Sequence, residues 1–262
     1  ATGLQYPTTM TFVGEDILVL EKNTGKVILI QDNGVIYSGH TLDVPISSSG
    51  EAGLLGIAST FNHVYLYFTE SLSGFDRHIS ELPLGEKDVI YQYDWNGKKL
   101  TNPILRKEMP ALTSSHHGGV IAIGLNDEIY FVIGDQEQHT TFQNIPVDTI
   151  YETGSIFKID TESNNTVELF AMGIRNSFGL AVDPVTGYLW ETENGPDKFD
   201  EINLVKPRFN SGSSIVMGPA DRVDFDLSTL NPKPFENFVY SDPEFSWYKT
   251  VAPTAIAFPD KD

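Results

Sequence analysis

Two ten-residue segments near opposite ends of the chain follow one pattern. Residues 7–16 read PTTMTFVGED and residues 253–262 read PTAIAFPDKD, and both fit Pro-Thr-x-[Met/Ile]-x-Phe-x-x-x-Asp. A recurrence of this kind indicates a repeat architecture, in which one supersecondary unit is built several times. The second segment is predicted to form the first strand of a unit with nothing after it.

Looser copies of the unit lie between these two segments. Each pairs a short apolar strand with an alternating aromatic strand across a turn rich in Asp, Asn, Gly or Pro: Leu54–Ala58 with Val64–Thr69, Val120–Ile123 with Glu128–Ile133, and Phe178–Asp183 with Gly187–Thr192. Further strands are predicted at Lys26–Ile30, Arg77–Leu82, Ser155–Asp160 and Glu201–Val205. No stretch shows sustained helical periodicity. This rhythm is typical of the four-stranded blades of a β-propeller.

The repeats predict an all-β chain that forms one β-propeller domain over residues 1–262. A β-sandwich is the alternative, but it does not require a long unit with this internal order. Four units and the start of a fifth make an incomplete ring, which leaves strand edges unpaired. We therefore expect the domain to be truncated at its C-terminus; the alternative is a complete protein that ends in a closing strand.

Charge and cysteine content exclude several classes of function. The 17 Lys and Arg against 36 Asp and Glu give a net charge of −19, which argues against nucleic acid and anionic membrane as partners. With no Cys, disulfides, thiolate zinc sites and cysteine nucleophiles are excluded. No apolar run approaches the roughly 18–20 residues of a transmembrane helix. Residues 1–10 lack the features of a signal peptide.

Two constellations near predicted strand ends suggest chemistry. His116-His117-Gly118-Gly119 precedes one strand, and Asp135 follows the next, so neighbouring strands can bring a His and an Asp together. An Asp that binds one ring nitrogen leaves the other as a base; the simpler interpretation is a hydrogen-bonding loop histidine. In Gly173-Ile174-Arg175-Asn176 the forked guanidinium can clamp a planar anion, or can merely bridge two blades.

Two further segments are rich in oxygen ligands or glycine. Residues 191–203 read ETENGPDKFDEIN, and their carboxylates, amides and Gly-Pro carbonyls suit Ca²⁺. In so acidic a chain, such a cluster can also be a solvated face. Residues 50–56 read GEAGLLG, a glycine-rich approach to a strand with one carboxylate, but they lack the context of a phosphate-binding loop.

In this order, the segments resemble the soluble quinoprotein glucose/sorbosone dehydrogenases, also called PQQ-dependent aldose sugar dehydrogenases. The resemblance also includes the segment from Trp247 through Thr250-Val-Ala-Pro and covers nearly the whole chain. It implies a six-bladed β-propeller that binds pyrroloquinoline quinone (PQQ) and Ca²⁺. It also implies oxidation of an aldose to its lactone, an external electron acceptor, and a periplasmic or extracellular location. The family's other cofactor-binding Lys and Arg residues would follow Pro253.

The resemblance assigns roles to individual residues. His116 would be the base for the anomeric hydroxyl, Asp135 would orient it, and Arg175 would stabilise charge on the quinone oxygen. The other implied contacts are Asn176 and Thr250 with the cofactor, Glu51 with cofactor and sugar, Trp247 with the sugar, the carbonyls of Gly195 and Pro196 with the catalytic Ca²⁺, and Glu201 with a second, structural Ca²⁺.

Two other functions remain open on sequence grounds. A Ca²⁺-dependent lactonase on a similar propeller would use the metal as a Lewis acid and would need neither quinone nor Arg175 and Asn176. A non-catalytic propeller would keep the scaffold and bind a sugar or a protein, since the fold alone does not define function.

Overall fold

The computed structural model describes residues 1–137, 144, 152–222, 226–230 and 236–259. Over these ranges the chain is built of β-strands and two single-turn 3₁₀ helices, Ala220–Arg222 and Leu227–Thr229, with no α-helix. The predicted all-β class is therefore confirmed. The chain divides into two compact units, Ala1–Ser115 and His116–Asp262.

The first unit contains two four-stranded antiparallel sheets, ordered β1-β2-β3-β4 and β10-β9-β7-β6, and a short parallel pair, β5-β8. Its strands are β1 Pro7–Val13, β2 Asp16–Glu21, β3 Lys26–Ile30, β4 Leu42–Asp43, β5 Ser47–Ser48, β6 Leu54–Ser59, β7 His63–Glu70, β8 Arg77–His78, β9 Lys87–Trp95 and β10 Leu100–Pro110.

The core of the first unit lies between its two sheets. Leu18 and Leu20 of β2 pack with Leu54 of β6 and with Leu66 and Phe68 of β7, all essentially without solvent exposure. Their period of two places them on one face of each strand, as expected for half-buried strands. Removal of this apolar surface from water is the main stabilising contribution.

The second unit contains a six-stranded sheet, ordered β11-β12-β13-β14-β18-β19, and a four-stranded sheet, ordered β15-β16-β17-β20. Its strands are β11 Ile121–Ile123, β12 Ile129–Ile133, β13 Ser155–Asp160, β14 Thr166–Met172, β15 Ser177–Val182, β16 Leu189–Glu193, β17 Lys198–Val205, β18 Phe209–Asn210, β19 Val239–Tyr240 and β20 Phe245–Lys249. Neighbours are antiparallel except β14-β18 and β18-β19, which are parallel.

The connectivity of the second unit brings four chain segments to strand ends. β11 and β12 are antiparallel, so the segment before β11 and the segment after β12 lie at the same end of their hairpin. β15 and β16 are related in the same way. One buried apolar cluster contains Val132 of β12, Leu180 of β15 and Ile174, which precedes β15. This cluster packs the two hairpins against each other.

Most predicted strands occur, and two predictions need correction. Lys26–Ile30 and Ser155–Asp160 have the predicted bounds, but the strand predicted over Arg77–Leu82 ends at His78. Beyond His78 the chain leaves β5, and the Ser80 carbonyl accepts a hydrogen bond from the Ser49 hydroxyl at 3.0 Å instead.

The terminal segment was also predicted to be a strand, and residues 253–259 are not one. β20 already occupies the edge of its sheet next to β17, and Pro253 and Pro259 have no N–H for a ladder. The Phe258 ring instead packs edge-on against Trp190, with 6.3 Å between centroids. Residues 260–262 of the predicted strand lie outside the described residues. The single domain, the six blades and the incomplete ring stay predictions.

Candidate active site

A buried histidine–carboxylate pair lies at the end of the β11–β12 hairpin. His116 Nδ1 and Asp135 Oδ1 are 2.5 Å apart, and the two residues are 7% and 0% exposed. The Glu137 amide donates to the same Asp135 oxygen at 2.7 Å. If the Asp135 carboxylate accepts this hydrogen bond, Nδ1 is the donor and Nε2 is the ring nitrogen that can serve as a base.

The backbone around this pair is strained and tightly packed. His116 has a φ of 56°, in the left-handed region that non-glycine residues rarely adopt. Gly134 lies between two carbonyls: a Cβ added to it would be 2.5 Å from the His116 oxygen and 2.9 Å from the Arg175 oxygen. Only glycine allows the segments of His116 and Arg175 to approach this closely.

We expect Gly134→Ala to disturb the site more than the fold. The added methyl group must displace the backbone of His116 or Arg175, at a cost of roughly 1–3 kcal/mol in unfolding free energy, and activity should fall by about 100-fold. Thermal unfolding and turnover measure the two effects. Gly74→Ala is the control for a loss of stability outside the site: a Cβ there meets nothing within 4 Å, but the φ of 74° makes the alanine strained by about 1–2 kcal/mol, so stability should fall and turnover should not. Wild-type turnover of Gly134→Ala would contradict this packing argument.

Arg175 connects the histidine–carboxylate pair to the end of β16. Its carbonyl accepts a hydrogen bond from the Asp135 amide at 2.8 Å, and its Nη1 donates to the Asn194 carbonyl at 2.8 Å. Among the described residues, its buried Nε has no hydrogen-bond partner. The Asn176 carbonyl accepts from the Asn194 amide at 2.9 Å. One donor of the guanidinium is therefore available for an anionic group.

Three buried carboxylates on β16 and β17 extend this hydrogen-bond network. Glu193 accepts from the Arg175 amide at 2.6 Å and from the Ser211 hydroxyl. Glu191 and Glu201 accept from the two hydrogens of the Asn203 amide group, at 3.2 and 3.1 Å. The three glutamates are at most 1% exposed, so this part of the acidic segment is not the solvated face that its composition suggests.

Burial changes the ionisation of this cluster. It raises the pKa of Glu191 to about 7 and that of Glu201 to about 7. It also raises the pKa of Glu193 well above its usual range, and the charges of Glu191 and Glu201 raise it further. The folded protein thus retains protons that the unfolded chain releases near pH 4.5.

In the presence of a chelator, we expect stability to fall as the pH rises from about 5 to 8. Folding raises the pKa of Glu191 to about 7. The contribution of its bound proton to the free energy of unfolding is therefore fully present below about pH 4.5 and is lost as the pH rises through 7. Glu191→Gln should reduce this slope and raise the unfolding free energy at pH 8 by on the order of 1–3 kcal/mol. Denaturant unfolding at three pH values measures it, with Glu168→Gln on the exposed face of β14 as the control. A slope identical to wild type would refute the effect of burial.

The remaining predicted residues of the second unit lie near Asp200. The Gly195 amide donates to Asp200 Oδ1 at 2.9 Å, which fixes the turn that carries Pro196. Trp247 is half-buried and is the register partner of Asp200, and Thr250 directly follows β20. Oδ2 of Asp200 also accepts from the Ala252 amide at 2.8 Å, so the same carboxylate connects the predicted metal segment with the segment that follows Trp247 and Thr250.

Glu51 lies in the first unit. It is half-buried, and its amide donates to the Ser114 carbonyl at 2.8 Å. Lys22, whose Nζ donates to the Gly50 carbonyl at 2.7 Å, is its charged neighbour. Burial lowers the pKa of Lys22, and the charge of Glu51 opposes this shift.

Sequence reasoning gave no role to several residues of the network. The sequence motifs include Glu193, Asn194 and Asp200 without a role of their own. In the structure, each accepts a hydrogen bond from the backbone or side chain of a predicted site residue. Their signal was the alternation of the acidic segment: Glu191 and Glu193 are two apart on one strand and therefore face the same side.

In the part of the chain that the structure describes, no group of three or more His, Cys, Asp or Glu side chains is arranged to hold a metal ion. The described helices are also too short to cross a membrane.

Comparison with known proteins gives consistent results. The sequence model of one family, described as Glucose / Sorbosone dehydrogenase, matches residues 4–262. Quinoprotein glucose dehydrogenase B of Acinetobacter calcoaceticus is 29% identical over 238 residues, which are 78% of this chain and 49% of that protein. Aldose sugar dehydrogenase YliI of Escherichia coli is 26% identical over 165 residues, covering 60% of this chain and 44% of that protein. The chain thus spans about half the length of these two relatives.

A solved structure shares the fold as well. The PQQ-bound form of aldose sugar dehydrogenase from Streptomyces coelicolor superposes with a TM-score of 0.69 at 26% identity, over 95% of this chain and 70% of that chain.

Proposed function

The chain belongs to the glucose/sorbosone dehydrogenase family, and we propose that it contributes the catalytic site of an enzyme that oxidises an aldose sugar to its lactone with PQQ and Ca²⁺. The observation that carries this proposal is the buried His116–Asp135 pair, joined through the backbone of Arg175 to a guanidinium whose buried Nε has no hydrogen-bond partner among the described residues. PQQ, when bound, supplies the two-electron acceptor for the hydride from the sugar.

His116 acts as the general base. With Nδ1 held by Asp135, Nε2 takes the proton of the anomeric hydroxyl as the C1–H bond breaks and the lactone carbonyl forms. Asp135 fixes the ring orientation and stabilises the imidazolium. Its own position is fixed by two hydrogen bonds: the Glu137 amide donates to its carboxylate, and its backbone amide donates to the Arg175 carbonyl.

Arg175 and Asn176 bind the cofactor. An unpaired, buried guanidinium donor is costly unless a ligand satisfies it, and a quinone that carries carboxylates offers suitable oxygen acceptors. The hydrogen bond from Nη1 to the Asn194 carbonyl holds the guanidinium in place. Arg175 is therefore preorganised to stabilise negative charge that develops on the quinone.

The Gly195 and Pro196 carbonyls are proposed ligands of the catalytic Ca²⁺. Ca²⁺ prefers six to eight oxygen ligands, and carbonyls of a rigid turn are suitable donors. The Asp200 bond to the Gly195 amide provides that rigidity. Glu201 is proposed to be a ligand of a second, structural Ca²⁺. Its carboxylate accepts a hydrogen bond from the Gly218 amide at 2.5 Å.

Glu51, Trp247 and Thr250 complete the proposal. Trp247 stacks on the sugar, Thr250 contacts the cofactor, and Glu51 contacts both sugar and cofactor. The whole enzyme is proposed to be a six-bladed propeller, periplasmic or extracellular, that passes electrons to an external acceptor and has no nucleic-acid partner.

Dye reduction that depends on an aldose, PQQ and Ca²⁺ tests the proposal. We expect turnover with glucose or another aldose only when both PQQ and Ca²⁺ are added. Ca²⁺-dependent lactone hydrolysis that ignores PQQ would instead identify a lactonase. Saturable sugar binding without either activity would identify a binding protein.

A further inference from the structure

The Asp200 side chain collects hydrogen bonds from two distant segments. Oδ1 accepts from the Gly195 amide at 2.9 Å. Oδ2 accepts from the amides of Val251 and Ala252, at 2.5 and 2.8 Å, although these residues are 51 and 52 positions away in the sequence. Asp200 itself is 0% exposed. A buried carboxylate with three amide donors is a strong, directional anchor.

These bonds begin where the strand ladder stops. The pairing of β17 with β20 runs from Ile202 opposite Phe245 to Lys198 opposite Lys249, and residues 250–252 continue beyond it. Phe199, near the start of β17, and Ala252, beyond β20, have φ values of 61° and 55°, which interrupt regular strand geometry at these two residues. Asp200 therefore replaces the ladder as the connection between the 195–196 turn and the 250–252 segment.

We infer that Asp200 is a positioning residue that holds the metal-binding turn and the cofactor-binding segment at a fixed separation. This inference rests on the proposed function, in which Gly195 and Pro196 bind Ca²⁺ and Thr250 contacts PQQ. Because one carboxylate holds both segments, the binding of Ca²⁺ and the ordering of residues 250–252 are thermodynamically coupled, and the coupling is reciprocal.

Asparagine is the informative substitution. Asp200→Asn preserves size and removes charge, but its amide group can present an acceptor to only one of the two segments. The other segment then faces an N–H donor and loses its bond. Asp160→Asn is the matched control, because Asp160 also accepts two backbone amides, from Glu162 and Ser163 at 3.1 and 3.0 Å, in a turn outside the site.

Amide hydrogen exchange of the full chain, combined with calorimetric titration of Ca²⁺ and PQQ, tests the inference. In wild type, we expect added Ca²⁺ to slow exchange at Val251 and Ala252 as well as at Gly195. In Asp200→Asn, exchange at Gly195 or at Val251 and Ala252 should be about tenfold faster or more, and Ca²⁺ affinity should fall by roughly 10–100-fold. Asp160→Asn should leave both readouts unchanged.

Several results would overturn the inference. Wild-type affinities for Ca²⁺ and PQQ in Asp200→Asn would leave the proposed function intact and reject Asp200 alone. A wild-type chain that binds neither ligand would reject the proposed function and this inference together. If Asp200→Asn does not fold, the wild-type experiment decides: Ca²⁺ binding that protects Gly195 but not Val251 and Ala252 would show that Asp200 does not couple the segments.

Discussion

His116→Asn is expected to lower kcat for aldose oxidation by roughly 10²–10⁴-fold, the usual contribution of a general base. The asparagine amide can still donate to Asp135, so the surrounding hydrogen bonds persist, but it has no nitrogen that can take the anomeric proton. The affinities for PQQ and Ca²⁺ should change little, because neither contact belongs to His116. Steady-state dye reduction and calorimetric titrations separate the two effects.

His40→Asn is the control for the loss of a histidine. His40 lies exposed in the first unit and has no role in the proposed mechanism. Its variant should turn over as wild type does. Unchanged turnover in His116→Asn would exclude His116 as the base and would direct attention to the lactonase or binding functions.

Arg175→Met is expected to lower kcat/KM by roughly 10²–10³-fold, the range found for removal of one preorganised donor. It should also weaken PQQ binding, because Nε, which has no partner in the part of the chain that the structure describes, is the donor offered to the cofactor. Arg175→Lys should recover only part of the loss. A lysine has no fork, and it cannot reach the Asn194 carbonyl and the cofactor in the same planar geometry.

Arg106→Met provides the comparison for Arg175. Arg106 also holds a side chain through its guanidinium, with Nε and Nη2 donating to Gln92 at 3.0 and 2.6 Å, but it lies on β10 of the first unit and has no role in the proposed mechanism. Its variant should retain wild-type kcat/KM. Full activity and full PQQ affinity in Arg175→Met would show that the guanidinium only bridges strands.

The strand pattern and one contact of the site were accessible from the sequence. Alternation predicted β3 and β13 with their observed bounds, because apolar residues two apart define one buried face. The position of His116 before one strand and Asp135 after its hairpin partner predicted that they meet, and their side chains are 2.5 Å apart. Their catalytic roles stay predictions.

The burial of these carboxylates was not accessible from the sequence, because composition describes only the average surface. Thirty-six acidic residues make exposure the natural expectation. However, Glu193 lies opposite Glu201 in the β16–β17 register, and Glu191 lies opposite Asn203, so all four point to one buried face. The bonds that satisfy them come from Arg175, Ser211 and Gly218, which are brought there by tertiary packing that no local pattern encodes.

The strand prediction for the terminal segment, residues 253–259, was wrong for a related reason. Its likeness to residues 7–16 is real in sequence, but those residues pair with β2, whereas residues 253–259 have no such partner in the described chain. A strand requires a neighbour for its backbone groups. Sequence similarity between two repeats therefore predicts a shared role only where both find equivalent partners.

A single-turnover experiment tests the central claim most directly. The chain, saturated with PQQ and Ca²⁺, is mixed anaerobically with an aldose, and the absorbance of the bound quinone and the amount of lactone are followed together. We expect one lactone for each quinone reduced, with the rate lost in His116→Asn. Bound quinone that stays oxidised at saturating concentrations of every aldose tested would contradict the proposal that His116, Asp135 and Arg175 form a sugar-oxidising site.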